Sequence, residues 1–253
     1  MSERVDLRTP EGVLDVYAFR PEAGQGPWPA VIVYMDAFGI RPDLDAMARR
    51  IASSGYFVTV PNLYYRTGAF PAFDPRQVAV DGAERNRFKG MIASIDGTKV
   101  MRDTAAVIAW LDRSASARTG RIAVVGYCMG GGYALRAAGT FPDRVAVAAS
   151  FHGGSLATDS PDSPHLLAPR IRAKVYIGAA EIDPSFPGEQ QKRLQQALAD
   201  AGVDHALEIF AGAKHGFAVT GHLAYDRDAS ERHWQRLLAL LRVLGSDSGE
   251  LSS

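Results

Sequence analysis

"RIAVVGYCMGGGYALRAAG", Arg121 to Gly139, decides how this chain is read. It opens as a β-branched, apolar run of the kind buried on both faces of a sheet. It then passes through glycines into small and apolar residues that suit a helix, with Cys128 at the turn. Gly126, Tyr127, Cys128, Met129 and Gly130 match the nucleophile elbow G-x-S-x-G with cysteine in place of serine. The central residue of such a turn sits in a strained backbone conformation, and side chains two residues away would collide with the neighbouring strand and helix. The helix start adds N–H groups and a positive dipole end, which stabilise a thiolate and, through the Met129 N–H, an oxyanion. The bland alternative is a cysteine that serves as a small apolar filler beneath a helix; its flanks favour the nucleophile. A dinucleotide fingerprint is excluded because the glycines do not give G-x-G-x-x-G.

The pattern around this unit repeats. "RVDLRT" and "LDVYAF" flank a turn and predict an N-terminal antiparallel hairpin, and "AVIVYM" predicts a buried strand. "PDLDAMARRIASSG" places Leu44, Met47, Ala48 and Ile51 on one helical stripe, and "YFVTV" follows as a strand. "TKVMRDTAAVIAWLDRS" aligns Met101, Ala105, Ile108 and Leu111. Further strands are expected at "RVAVAASF", "KVYIGAA" and "HALEIFA". The helices near them carry Leu194, Ala197, Leu198 and Ala201, then Trp234, Leu237, Leu238 and Leu241. Alternating strands and helices predict an α/β fold with a mostly parallel sheet, helices on both faces, and a site at the carboxyl ends of the strands. We expect one domain over residues 1–245. The segment Asn62 to Gly97 is too long for a simple connection and is read as a lid or pocket wall. Residues 246–253 are read as a flexible tail.

An elbow nucleophile needs a base and an orienting acid, in the chain order nucleophile, acid, histidine. His215, in "FAGAKHGFA", follows a strand candidate on a glycine-flanked loop, and Asp183 lies just past the preceding strand, before Pro184. Cys128, Asp183 and His215 complete the order. Glu181 is the substitute acid. His152, in "SFHGG", is the rival base, read as a pocket residue or a buried histidine.

Composition narrows the partners. With 28 Lys+Arg against 28 Asp+Glu and no run of like charge, neither nucleic acid nor an anionic membrane is indicated. The start of the chain has no apolar leader and no stretch is long enough to span a bilayer, so it reads as soluble and cytoplasmic. A single cysteine offers no disulfide and no CxxC pair for zinc, so no metal is expected.

The motifs "GYCMGG", "GAAEID", "AGAKHGF" and "YMDAFGIRPDL" followed by "GYFVTVPNLYYR" resemble the dienelactone hydrolase family of α/β-hydrolases, over most of the chain from about Val31. The resemblance implies an α/β-hydrolase fold and cofactor-free cleavage of esters or lactones, by a Cys128, Asp183 and His215 triad through a thioester. It also implies a small-molecule substrate and a monomer or homodimer. It places Asp36 where the family has a carboxylate, usually glutamate, touching the resting thiol; one methylene shorter, Asp36 is expected to make a longer or water-mediated contact. The Ala37 N–H becomes the second oxyanion donor, and Arg66, in "PNLYYR", a clamp for a substrate carboxylate. Where the family has a second arginine after the histidine, this chain has Val219. The other reading is a non-catalytic binding protein on the same scaffold.

Overall fold

Every residue of four central strands is buried, and successive strand residues point to opposite faces, so helices must cover both sides of the sheet. The computed structural model describes residues 2–118 and 120–246. The hairpin β1 (Ser2–Thr9) and β2 (Gly12–Phe19) is antiparallel, as expected. It leads to β3 (Ala30–Tyr34), β4 (Phe57–Pro61), β5 (Ile122–Tyr127), β6 (Val145–Phe151), β7 (Lys174–Ile182) and β8 (His205–Lys214). The eight strands form one sheet in the order β1-β2-β4-β3-β5-β6-β7-β8. From β4 through β8 every pairing is parallel, and β2 joins β4 antiparallel. Parallel order points all the carboxyl ends at one rim.

Helices α1 (Pro42–Ser53), α2 (Pro75–Val80), α3 (Gly82–Ala93), α4 (Gly97–Leu111), α5 (Met129–Thr140), α6 (Gly188–Asp200), α7 (Arg227–Leu241) and α8 (Val243–Ser246) complete the chain. The stripe on α1 is the expected one, with Leu44, Met47, Ala48 and Ile51 all buried. That on α4 is displaced: Val100, Asp103, Thr104 and Val107 face inward with Ile108 and Leu111, while Met101 is half-buried and Ala105 exposed. Two polar residues hold core positions because each has a partner there. Tyr34 and Thr104 share a 2.8 Å hydrogen bond, and Asp103 meets Arg66. On α7, Leu240 joins Trp234, Leu237 and Leu241 inside and Leu238 stays at the margin.

The Asn62 to Gly97 segment is largely helical. A single turn of tight helix at Tyr65–Thr67, then α2 and α3, carries it back to α4. Asp74, Asp81 and Asp96 cap the starts of α2, α3 and α4 by accepting backbone N–H bonds, which fixes where each short helix begins. The expected tail beyond Ser246 lies outside the described residues.

Candidate active site

β5 ends at Tyr127 and α5 begins at Met129, so Cys128 alone makes the turn. Its φ of 55° and ψ of −121° lie in a region that a residue with a Cβ occupies only when its surroundings force it. Here the Cys128 N–H donates to the Phe151 carbonyl at 3.2 Å, and the Cys128 carbonyl accepts from the Gly131 N–H at 3.0 Å. The elbow glycines are sterically required. A Cβ on Gly126 would fall 1.9 Å from the Gly130 carbonyl oxygen, and one on Gly130 would fall 2.5 Å from the Tyr34 carbonyl oxygen.

β7 and β8 are neighbours, so the residues just past their ends stand side by side. His215 Nε2 lies 3.0 Å from Cys128 Sγ, and His215 Nδ1 lies 2.7 Å from Asp183 Oδ2. Asp183 is 7% exposed. Ser185 completes the group: its N–H and its Oγ both donate to Asp183 Oδ1, at 2.9 and 2.6 Å, while His215 Nδ1 lies 3.1 Å from the same Oγ. Since the hydroxyl proton goes to the carboxylate, the Nδ1 proton is shared between Asp183 and Ser185. Burial opposes charge on His215, but the hydrogen bonds to Asp183 and Cys128 outweigh it and push the imidazolium up to about 10. For Asp183, burial is likewise outweighed by the bonds from His215 and Ser185, and its carboxyl is held below the usual carboxylate range.

The alternatives fall elsewhere. Glu181 accepts the Gly212 N–H across the β7–β8 ladder. His152 is fully buried with φ 39°, and its ring packs edge-on 5.4 Å from that of His215. Burial, then the neighbouring His215, hold its pKa far below the ordinary histidine value, so it is neutral. Its ring nitrogens have no hydrogen-bond partner among the described residues.

The loop after β3 is built around Asp36. Its two carboxylate oxygens accept from Arg41 at 2.5 and 2.7 Å and Oδ1 also accepts the Phe38 N–H, while its carbonyl accepts the Gly39 N–H. Both partners are buried. This ion pair engages both carboxylate oxygens of Asp36, and the loop holding Ala37 is knitted across its base. Tyr64 ties that loop to the elbow, donating to the Ala37 carbonyl at 2.9 Å and lying 3.8 Å from Met129 Sδ. Arg66 bridges Asp103 on α4 and Glu11 in the β1–β2 turn.

Rings join the two sides. His222 stands 6.5 Å from His215 and 5.7 Å from Phe38, which stacks on Phe88 at 4.9 Å. Phe88 meets Phe73 at 5.3 Å, Phe73 meets Phe70 at 5.9 Å, and Phe70 meets Tyr64 at 5.7 Å. The chain of contacts thus runs from the histidine at the thiol to the tyrosine beside Met129, all at separations favoured by aromatic pairs. Sequence reasoning missed Ser185, Arg41, His222 and this hoop. Only Ser185 carried a local signal, an Asp-Pro-Ser turn in which the Asp side chain receives the N–H two residues on.

A thiol offered from a strand-to-helix turn, met by side chains from the loops after two parallel strands, is the plan of an α/β-hydrolase, and solved structures of that fold superpose on this chain. The crystal structure of a "putative dienelactone hydrolase" from Klebsiella pneumoniae subsp. pneumoniae MGH 78578 has a TM-score of 0.82 at 24% identity, covering 95% of this chain and 98% of that one. A dienelactone-hydrolase-like promiscuous phosphotriesterase from metagenomic libraries has a TM-score of 0.77 at 25% identity, covering 96% and 98%. The chain belongs to the dienelactone hydrolase family, whose sequence profile matches residues 14–244. A relative from Escherichia coli O157:H7 described as "putative carboxymethylenebutenolidase" is 28% identical over 235 residues, 92% of this chain and 83% of its own length. Membership supports an enzyme that hydrolyses esters or lactones, acting on a small molecule. Among the described residues no helix is long and apolar enough to cross a membrane.

Proposed function

We propose that this protein hydrolyses a carboxylic ester or lactone with Cys128 as nucleophile, His215 as acid and base, and Asp183 as the group that orients the imidazole. The observation that carries the reading is the pair of contacts made by one imidazole, Nε2 to Cys128 Sγ at 3.0 Å and Nδ1 to Asp183 Oδ2 at 2.7 Å. With the proton they share held on His215, the Cys128 sulfur attacks the acyl carbon. The carbonyl oxygen takes the negative charge between the Met129 and Ala37 N–H groups. As the tetrahedral species collapses, the bond to the alkoxy oxygen breaks and His215 returns the proton to it, leaving an acyl thioester on Cys128. Water then loses a proton to His215 and attacks the thioester, which releases the acid and restores the thiol. The Asn62 to Gly97 segment walls one side of the site, and residues up to the last helix act as one catalytic unit.

The test is direct. Mixing the protein with a 4-nitrophenyl ester and quenching early adds the mass of the acyl group to the peptide that holds Cys128, and Cys128→Ala retains the fold but loses turnover by on the order of 10⁴-fold or more. Full activity in the alanine variant would overturn the proposal.

A further inference from the structure

A substrate carboxylate needs a cation with free donors to receive it. The arginines of the neighbouring loops are already committed to carboxylates of the protein. Arg66 directs Nε and Nη2 to Glu11 and Nη1 and Nη2 to Asp103, and its guanidinium lies over the Tyr65 ring. Arg41 gives both Nη groups to Asp36 and one of them to the Gly39 carbonyl as well, while its Nε is buried without a hydrogen-bond partner among the described residues, 3.6 Å from Asp43 Oδ2. Arg87 pairs through Nε and Nη2 with Glu84 and covers the face of Phe73, 3.9 Å from its centroid. Position 219, just past His215, is a buried valine. Asp36 and Asp103 are 2% and 1% exposed, so turning either arginine toward a ligand would leave a carboxylate buried and unpaired.

What the site does present is the hoop of rings. Phe38 is joined to Ala37, the loop's oxyanion donor, and stands between the Phe88 ring and His222. His222 Nδ1 accepts the Ala224 N–H at 3.1 Å, which places its proton on Nε2. Burial holds its pKa below the ordinary histidine value despite Asp36, so this ring too is uncharged. The ring packs so closely on Gly216 that a Cβ there would fall 2.2 Å from it.

We propose that the substrate is an uncharged ester whose acyl group is apolar and packs against the aromatic series at Phe38, and that a carboxylate on that group is a handicap. This rests on the hydrolase reading above. The experiment compares kcat/KM for two esters of matched length, 4-nitrophenyl hexanoate and mono-4-nitrophenyl adipate, each corrected for its rate without protein. The hexanoate is expected to lead by at least about tenfold. A second comparison sets 4-nitrophenyl 3-phenylpropanoate against 4-nitrophenyl acetate, a ratio expected to fall roughly tenfold in Phe38→Ala. Equal rates for the matched esters, or a lead for the adipate, overturn the inference. So does an unchanged ratio in a folded Phe38→Ala protein; if that variant fails to fold, the matched pair on the native protein decides. Should none of the esters acylate Cys128, the hydrolase reading itself falls, an outcome separate from acylation with the wrong preference.

Discussion

Cys128 Sγ and His215 Nε2 are 3.0 Å apart, although 87 residues separate them in the chain. The contact is made by two loops that leave the same rim of a parallel sheet, so its geometry is set by strand order more than by local sequence.

Asp183→Asn removes the carboxylate that keeps the imidazole charged. In the native protein the His215 imidazolium persists up to about pH 10. Its pKa in the variant should fall toward the ordinary value of 6.5, with kcat reduced by about 10⁴-fold through loss of the orienting acid. An imidazole NMR titration checks the first and steady-state kinetics the second; a variant imidazole that still titrates near 10 contradicts the assignment of Asp183.

Ser185→Ala leaves the backbone bond to Asp183 Oδ1 and deletes the 2.6 Å hydroxyl bond. One hydrogen bond to a charged group corresponds to about 1.5 kcal/mol, so kcat should drop roughly tenfold with KM nearly constant. A change confined to KM would argue for a role in substrate contact.

Arg41→Met leaves Asp36 buried with its charge uncompensated. The expected cost is about 3–5 kcal/mol, read in urea unfolding. Adding Asp36→Leu to that variant should recover part of the loss, because two apolar groups then replace the pair. If Arg41→Met proves no less stable than the native protein, the pair is not sheltered as described.

His233 makes stability depend on acid. It is fully buried, donating through Nδ1 to the Ser230 carbonyl and accepting through Nε2 from Tyr127, and burial lowers its pKa from 6.5 to about 3. Between those values the unfolded chain binds a proton that the native protein does not, so stability declines as pH falls through this window. The slope from one such group approaches about 1.4 kcal/mol per pH unit, and His152 adds to it in the same direction. His233→Phe should be less stable at pH 7 by about 1–3 kcal/mol, since the Tyr127 hydroxyl loses its acceptor, yet lose less on going to pH 5. Urea titrations at the two pH values measure both, and an unaltered slope would count against the buried neutral histidine.

The central strands and the elbow were legible from their apolar runs, and the positions of Asp183 and His215 from lying just past strand candidates, since the sheet's topology brings whatever follows its parallel strands to one rim. Arg41, Arg66 and Asp103 were not. Arg66 finds Glu11 and Asp103 at sequence separations of 55 and 37, and nothing in local pattern couples such residues. The same pair explains the displaced stripe on α4: counting only apolar residues selects Met101 and Ala105, whereas the face that packs includes Asp103 and Thr104, which bring their partners with them. Asp36 shows the limit of analogy, for shortening the side chain by one methylene goes together with a partner five residues away in its own loop.

The rings from His222 to Tyr64 touch in series, so under the proposed acyl preference a change at one ring shifts the packing of its neighbours. Adaptation to a bulkier or smaller substrate would then proceed by compensating pairs of substitutions on the Phe38 loop and α3, and single changes drawn from relatives would be poor guides to what the pair achieves.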